Sequence, residues 1–215
     1  SKVVCLIGSI SDSHSIEIVA MGSYPSSGLK KGVVVNIDAT TDAIQKSIEQ
    51  AKNSFEGKIK NVFVGIAGNH IKSLNSHGIV GIKDKEVTQL DIEKVIDAAQ
   101  AVAIPSDQRV LHVLPQEFVI DDQDAIREPL GMSGVRLESH VHLVTCANNA
   151  IQNIEKCVKR CGIGIDGFVL EQLASSYSIL SNDEKELGVC IVDIGGGTTD
   201  IAIFNNGSIC FTGVI

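Results

Sequence analysis

The stretch Gly188-Val189-Cys190-Ile191-Val192-Asp193-Ile194-Gly195-Gly196-Gly197-Thr198-Thr199-Asp200 reads as an apolar strand that runs into an acidic, glycine-rich turn and resumes as a second strand. Consecutive glycines carry no Cβ. The turn is therefore expected to reach positive φ and to bring backbone N–H groups against phosphate oxygens as an anion nest. Asp193 and Asp200 flank it, where carboxylates suit a hydrated Mg²⁺ bridging the phosphates. Three glycines alone equally describe an ordinary hairpin. The Asp-x-Gly-Gly-Gly-Thr-x-Asp frame between apolar strands is what points to a nucleotide. Downstream, an Asn205-Asn206-Gly207 turn separates apolar runs at 201–204 and 208–212, a strong hairpin signal.

Upstream of the turn, 168–170 is a short strand and 171–180 a helix with Glu171 at its first position and the polar exit 181–184. Residues 147–161 carry Ile151, Ile154, Val158 and Cys161 on one helical face, with Gly162 as a C-terminal stop. Strands are predicted at 109–120 and 134–145, joined by a polar connection containing Pro129 and Gly131. In the second strand Leu137, Ser139, Val141 and Leu143 alternate with Arg136, Glu138, His140 and His142. One face should be buried and the other wet, with both histidines on the wet face as solvated side chains rather than metal ligands. His70, His77 and His112 are read the same way. Residues 88–102 form a helix with Thr88 and Asp91 in capping-box spacing, preceded by a short strand at 75–82.

The chain opens with strands at 3–10 and 16–23 around a polar turn at 11–15, and a third run follows at 33–37. A helix over 41–55 is capped by Thr40 or Thr41 and stopped by Gly57, and a buried strand occupies 59–67. This β-β-β-α-β order is that of a ribonuclease-H-type α/β unit.

Composition narrows the function classes. The chain has 215 residues, of which 44% are hydrophobic and 20% charged, as in a globular α/β protein. A formal net charge of −8 argues against nucleic acid or anionic lipid as a nonspecific partner, because the phosphate term would be repulsive. There is no apolar run near the roughly 18 residues a membrane span needs. Six cysteines, at 5, 146, 157, 161, 190 and 210, form no CxxC pair and are expected to be reduced, buried thiols. Cys157 and Cys161 fit one helix face better than a metal site. No Ser-His-Asp or Cys-His constellation is legible. Both ends read as cut from something longer, since strand text begins at once after Ser1-Lys2 and stops at Val214-Ile215.

The motif from Asp193 to Asp200 resembles the second phosphate motif of the actin, Hsp70 and sugar-kinase superfamily. Together with Pro25-Ser26-Ser27-Gly28-Leu29-Lys30-Lys31-Gly32, Arg109-Val110-Leu111-His112-Val113-Leu114-Pro115-Gln116-Glu117 and Leu173-Ala174-Ser175-Ser176-Tyr177-Ser178-Ile179-Leu180, it resembles the FtsA family of bacterial division proteins from end to end. The resemblance implies an actin-like, ribonuclease-H-like ATPase lobe over 1–67 and 146–187. It also implies an inserted small α+β subdomain of the SHS2 type, called 1C, over 68–145, and the truncated start of a second lobe over 188–215. It implies ATP and Mg²⁺ in the full-length protein. Gly195, Gly196, Gly197, Thr198 and Thr199 would contact phosphate, with Asp193 on the hydrated metal and Asp200 behind it, anchoring the turn. Lys2 would end a first phosphate motif, unless Ser1 is a vector remnant. Glu171 would orient water or metal at the start of its helix; the helix dipole alone also favours an acid there. The family often places proline after this glutamate, and Gln172 departs from that.

In function, the resemblance implies filaments, a link between the FtsZ ring and the cytoplasmic face of the inner membrane, and recruitment of later division proteins through 68–145. The membrane helix and the FtsZ-binding lobe would lie outside this chain. Activity is expected to be at most slow ATP hydrolysis, and the chain by itself is expected to bind ATP weakly or not at all. A PilM-like assembly adaptor and, further off, a small-molecule kinase of the same superfamily remain as alternatives. The inserted segment is an interaction surface or a passive brace.

Overall fold

The computed structural model describes residues 2–11 and 16–215. Its elements in order are β1 (Lys2–Ile10), β2 (Ile16–Pro25), β3 (Leu29–Lys30), β4 (Val33–Val34), α1 (Ile37–Lys52), β5 (Asn61–Ile66), β6 (Ile71–Gly81), α2 (Gln89–Gln100), β7 (Gln108–Ile120), β8 (Gln123–Ile126), β9 (Arg136–Ala147), α3 (Asn148–Arg160), β10 (Gly164–Leu170), α4 (Glu171–Ile179), α5 (Asn182–Leu187), β11 (Val189–Ile194), β12 (Thr199–Asn205) and β13 (Ser208–Val214). This is an actin-like α/β lobe with an inserted α+β subdomain. The expected turn at 11–15 falls, apart from Ser11, outside the described residues, as does Ser1.

The first lobe is built from pairs of strands on two helices. The β1–β2 ribbon is antiparallel, while β10 and β5 run parallel, as the α3 crossover between distant strands requires. Helices α1 and α3 bury Ile48, Val158 and Ile163 against Cys5, Ile44, Val62, Val64 and Ile165, which ties both strand pairs to one core. Helix α1 begins at Ile37, earlier than the text around Thr41 suggests. Asn36 is its N-cap, its side chain accepting the Ala39 amide at 2.9 Å, and the Thr40 and Thr41 hydroxyls donate to carbonyls one turn back. That early start truncates the third apolar run to the two residues of β4.

The inserted subdomain is a four-stranded antiparallel sheet in the order β6-β9-β7-β8 with α2 across one face. Thr88 and Asp91 form the expected capping box. Ile82, Val87, Val95, Phe118, Ile120, Ile126 and Leu137 make its core, and Val141, Leu143 and Ala99 extend it. Gly78 in β6 is what lets α2 approach. A Cβ there would fall 2.2 Å from the Val95 carbonyl oxygen and 2.5 Å from the Ala99 amide.

The last sheet, β11-β12-β13, is antiparallel and lies against the face of the inserted sheet opposite α2. This corrects the reading of β9. Leu137, Ser139, Val141 and Leu143 are fully buried as the alternation predicts, but His142 on the other face is only 1% exposed because β13 covers it. Two further corrections are local. The polar exit 181–184 is the start of α5, with Ser181 and Glu184 in a capping box. Cys190 is exposed, whereas Cys146 and Cys157 are buried and Cys5, Cys161 and Cys210 are intermediate; all six are free thiols.

Candidate functional site: the glycine turn and its acids

Strands β11 and β12 pair in register from Val189↔Phe204 to Ile194↔Thr199, which leaves Gly195–Thr198 as the turn. The Gly195 amide donates to the Thr198 carbonyl at 2.9 Å and closes it. None of the three glycines lies in the left-handed region, contrary to the expectation of positive φ. Close approach explains Gly195 instead, since a Cβ there would sit 3.1 Å from the Thr198 oxygen. Gly197 faces the loop before β4, its Cβ position lying 3.6 Å from the Lys31 amide nitrogen, so a cationic residue of the first lobe stands beside the turn.

The two aspartates occupy opposite environments. Asp193 and Gly195–Gly197 are exposed. Asp200 is 4% exposed and fixed: Thr198 Oγ1 donates to its Oδ2 at 3.0 Å and Gln172 Nε2 to its Oδ1 at 3.3 Å. Burial pushes the Asp200 pKa up, opposed by the Thr198 hydroxyl and the Gly68 amide and reinforced by Asp193.

Glu171 comes to the same place by a different route. Parallel strand β10 ends at Leu170, whose amide donates to His112 Nε2 at 3.0 Å, and α4 starts at once with Glu171. The residue keeps an exposed flank while its carboxyl packs beside Gly65 of β5, where an added Cβ would lie 3.3 Å from Oε1. That shielding, and then the charges of Asp200 and Asp193, raise its pKa. The structure thus brings Glu171, Asp193, Asp200 and the glycine turn into one acidic cluster. Lys2 opens β1 and pairs with Pro25 of β2.

Three residues beside this cluster have no site role in the sequence reading, although Lys31 and His112 lie in stretches that carry the family resemblance. Lys31 is placed only by the turn at Gly32. His112 is buried enough to depress its pKa, so it is neutral and accepts the Leu170 amide. Gln172 is fully buried, and its Oε1 has no hydrogen-bond partner. Its position after Glu171, where proline is common, is the only sequence signal it gives.

The donor set fits a cation held through water. No group of three or more His, Cys, Asp or Glu among the described residues is placed to ligate a metal directly. One exposed carboxylate and an orphaned buried amide oxygen suit the waters of a hydrated divalent ion. Two cavities lie apart from the turn, one beside Arg109 and Phe168 and the other around Arg127 and Glu186.

Comparison with known proteins shows what the chain is similar to. Residues 68–145 match the model of the SHS2 domain inserted in FTSA. Over all 215 residues the chain is 65% identical to the cell division protein FtsA of Pseudomonas aeruginosa and 44% identical to that of Escherichia coli. Along its whole length the chain is similar to FtsA proteins. It spans about half the length of these FtsA proteins, 52% and 51% respectively. A solved PilM–PilN type IV pilus biogenesis complex contains a chain of the same fold, with a TM-score of 0.69 at 14% identity, covering all of this chain and 58% of that one. The fold is therefore shared with a protein of quite different sequence.

Proposed function

We propose that the chain is part of an actin-like, ATP-binding cell division protein, with the glycine turn as one jaw of a magnesium–ATP clamp. Convergence of Glu171, Asp193 and Asp200 on the turn is the observation that carries this reading. In it Gly195, Gly196, Gly197, Thr198 and Thr199 face the phosphates, Asp193 takes the hydrated Mg²⁺, Asp200 orients the turn from behind, and Glu171 orients water. Bound Mg²⁺ neutralises phosphate charge; the chain's own groups position and hydrogen-bond. The raised pKa of Glu171 suits an acid that exchanges a proton with water, and without a stronger base any hydrolysis is slow. Lys2, at the start of β1, would bring a cation to the phosphates from the first lobe.

Residues 1–67 and 146–187 form the first lobe in this reading, 68–145 the recruiting subdomain and 188–215 the start of the second lobe. The full-length protein self-associates into filaments on the cytoplasmic face of the inner membrane at the division septum, links the FtsZ ring to it and recruits later divisome proteins through 68–145. The FtsA relatives support division as the setting. Among the described residues no helix is long and apolar enough to cross a membrane. The test is vesicle sedimentation of the full-length protein with FtsZ. MgATP should carry FtsZ into the vesicle pellet. Pelleting of the protein without FtsZ, with or without nucleotide, would leave the PilM-like adaptor as the better reading.

A further inference from the structure

The contact between β13 and the inserted subdomain is polar, specific and continuous with the glycine turn. Ser73 Oγ of β6 donates to the Thr212 carbonyl at 2.9 Å, Asn75 Nδ2 to the Cys210 carbonyl at 3.2 Å and Gln116 Nε2 of β7 to the Ile209 carbonyl at 3.0 Å. His142 sits at the centre, its Nε2 3.0 Å from Thr212 Oγ1 and its Nδ1 2.6 Å from Asn75 Oδ1. Burial keeps this ring neutral, with its pKa lowered to about 4. A neutral ring has one donor; since the Asn75 oxygen only accepts, Nδ1–H donates to it and Nε2 accepts the Thr212 hydroxyl.

At its other end β13 meets the site. Gln172 Nε2 is shared between Asp200 Oδ1 at 3.3 Å and the Gly213 carbonyl at 3.5 Å, two long bonds, while its Oε1 has none. A fully buried amide so poorly satisfied has a second arrangement within reach. A donor offered to Oε1, or a cation drawing on Asp200, redirects Nε2 and loosens its hold on Gly213. Thr212, the neighbour of Gly213, carries two of the bonds to the inserted sheet, those with Ser73 and His142.

We infer that the inserted subdomain reads the occupancy of the glycine turn through a relay that runs from Asp200 to Gln172, the Gly213–Thr212 step of β13, His142 and Asn75. The ligand is a magnesium–nucleoside triphosphate, so this rests on the function proposed above. The reporting element is β6, an edge strand that pairs with β9 and is tied to β13 by the bonds from Ser73 and Asn75. A surface for partners on 68–145 is then offered differently by the loaded and empty protein.

Hydrogen–deuterium exchange on the full-length protein tests this, with calorimetry of MgATP run in parallel. In the wild type, MgATP should change exchange of the 71–81 amides threefold or more. In Thr212→Val, which removes one hydroxyl and keeps the shape, that response should fall below 1.5-fold while MgATP affinity stays within threefold. Binding without a response in the wild type, or an undiminished response in the variant, overturns the relay. Absence of MgATP binding in the wild type overturns the nucleotide reading itself. A ligand-free arm then decides the relay alone: Asn75→Ala, which touches neither β11 nor β12, should raise exchange at 199–203 threefold or more, and unchanged exchange there would make the contact a static brace.

Discussion

The inserted subdomain and the first lobe solve the same packing problem to different degrees. The four strands of the subdomain form one sheet, with α2 on one face and β13 on the other, and Leu137, Val141, Leu143 and Val144 are fully buried. In the lobe the strands stay in separate pairs, and α1 covers only one face of β1–β2. Leu6, Ile10, Ile16, Ile18 and Met21 on the other face are more than half exposed, as is Phe63 of β5. The difference teaches that the subdomain sheet is buried on both faces by α2 and β13, whereas the face of β1–β2 away from α1 is open in this chain.

The largest expected effect is in the subdomain core. Leu137→Ala should cost about 2–5 kcal/mol, against less than about 0.5 kcal/mol for Leu6→Ala on the open face, read as urea midpoints. Equal costs would break the comparison. Next comes the buried histidine. In the unfolded chain His142 titrates near 6.5, while in the fold its pKa is about 4, so between these values the unfolded state binds more protons. Its contribution is complete above pH 6.5 and is lost as pH falls toward 4, at most about 3 kcal/mol. His70 and His112, also lowered, act in the same direction, while the raised Glu171 and Asp200 act in the opposite one. The difference in urea stability between wild type and His142→Leu across this range isolates the term, and a flat difference would deny the burial.

Both regions also use a strand glycine to seat a helix. A Cβ added at Gly22 of β2 would lie 1.8 Å from the Ser47 carbonyl oxygen, much as one at Gly78 would meet Val95. Gly78→Ala and Gly22→Ala should each cost about 1–3 kcal/mol by forcing helix from strand. A smaller cost for Gly22 in thermal melts would show that the lobe yields more readily than the subdomain. Smallest are the caps. Thr88→Ala and Asn36→Ala should each lose about 1 kcal/mol, and only the first should shift the melting of the subdomain.

What is legible in the sequence is mostly local. The capping box at Thr88, the alternation in β9, the helical face of Ile151, Ile154 and Val158 and the frame around Asp193 all depend on near neighbours. What is not legible depends on distant ones. His142 looks solvated until β13, some 70 positions away, is laid over it. Gln172 looks like a lost proline until Asp200 and Gly213 converge on its amide. The start of α1 is hidden because the threonines after Asn36 compete with it as caps. The glycines of the turn read as conformational freedom, where the fold uses at least Gly195 for proximity.

The most direct test of the central claim is calorimetric titration of MgATP into the full-length protein and its Asp193→Ala variant. The account predicts micromolar binding that requires Mg²⁺ and weakens at least tenfold in the variant, with the melting temperature unchanged. Equal affinity in the two proteins, or binding indifferent to Mg²⁺, would contradict it.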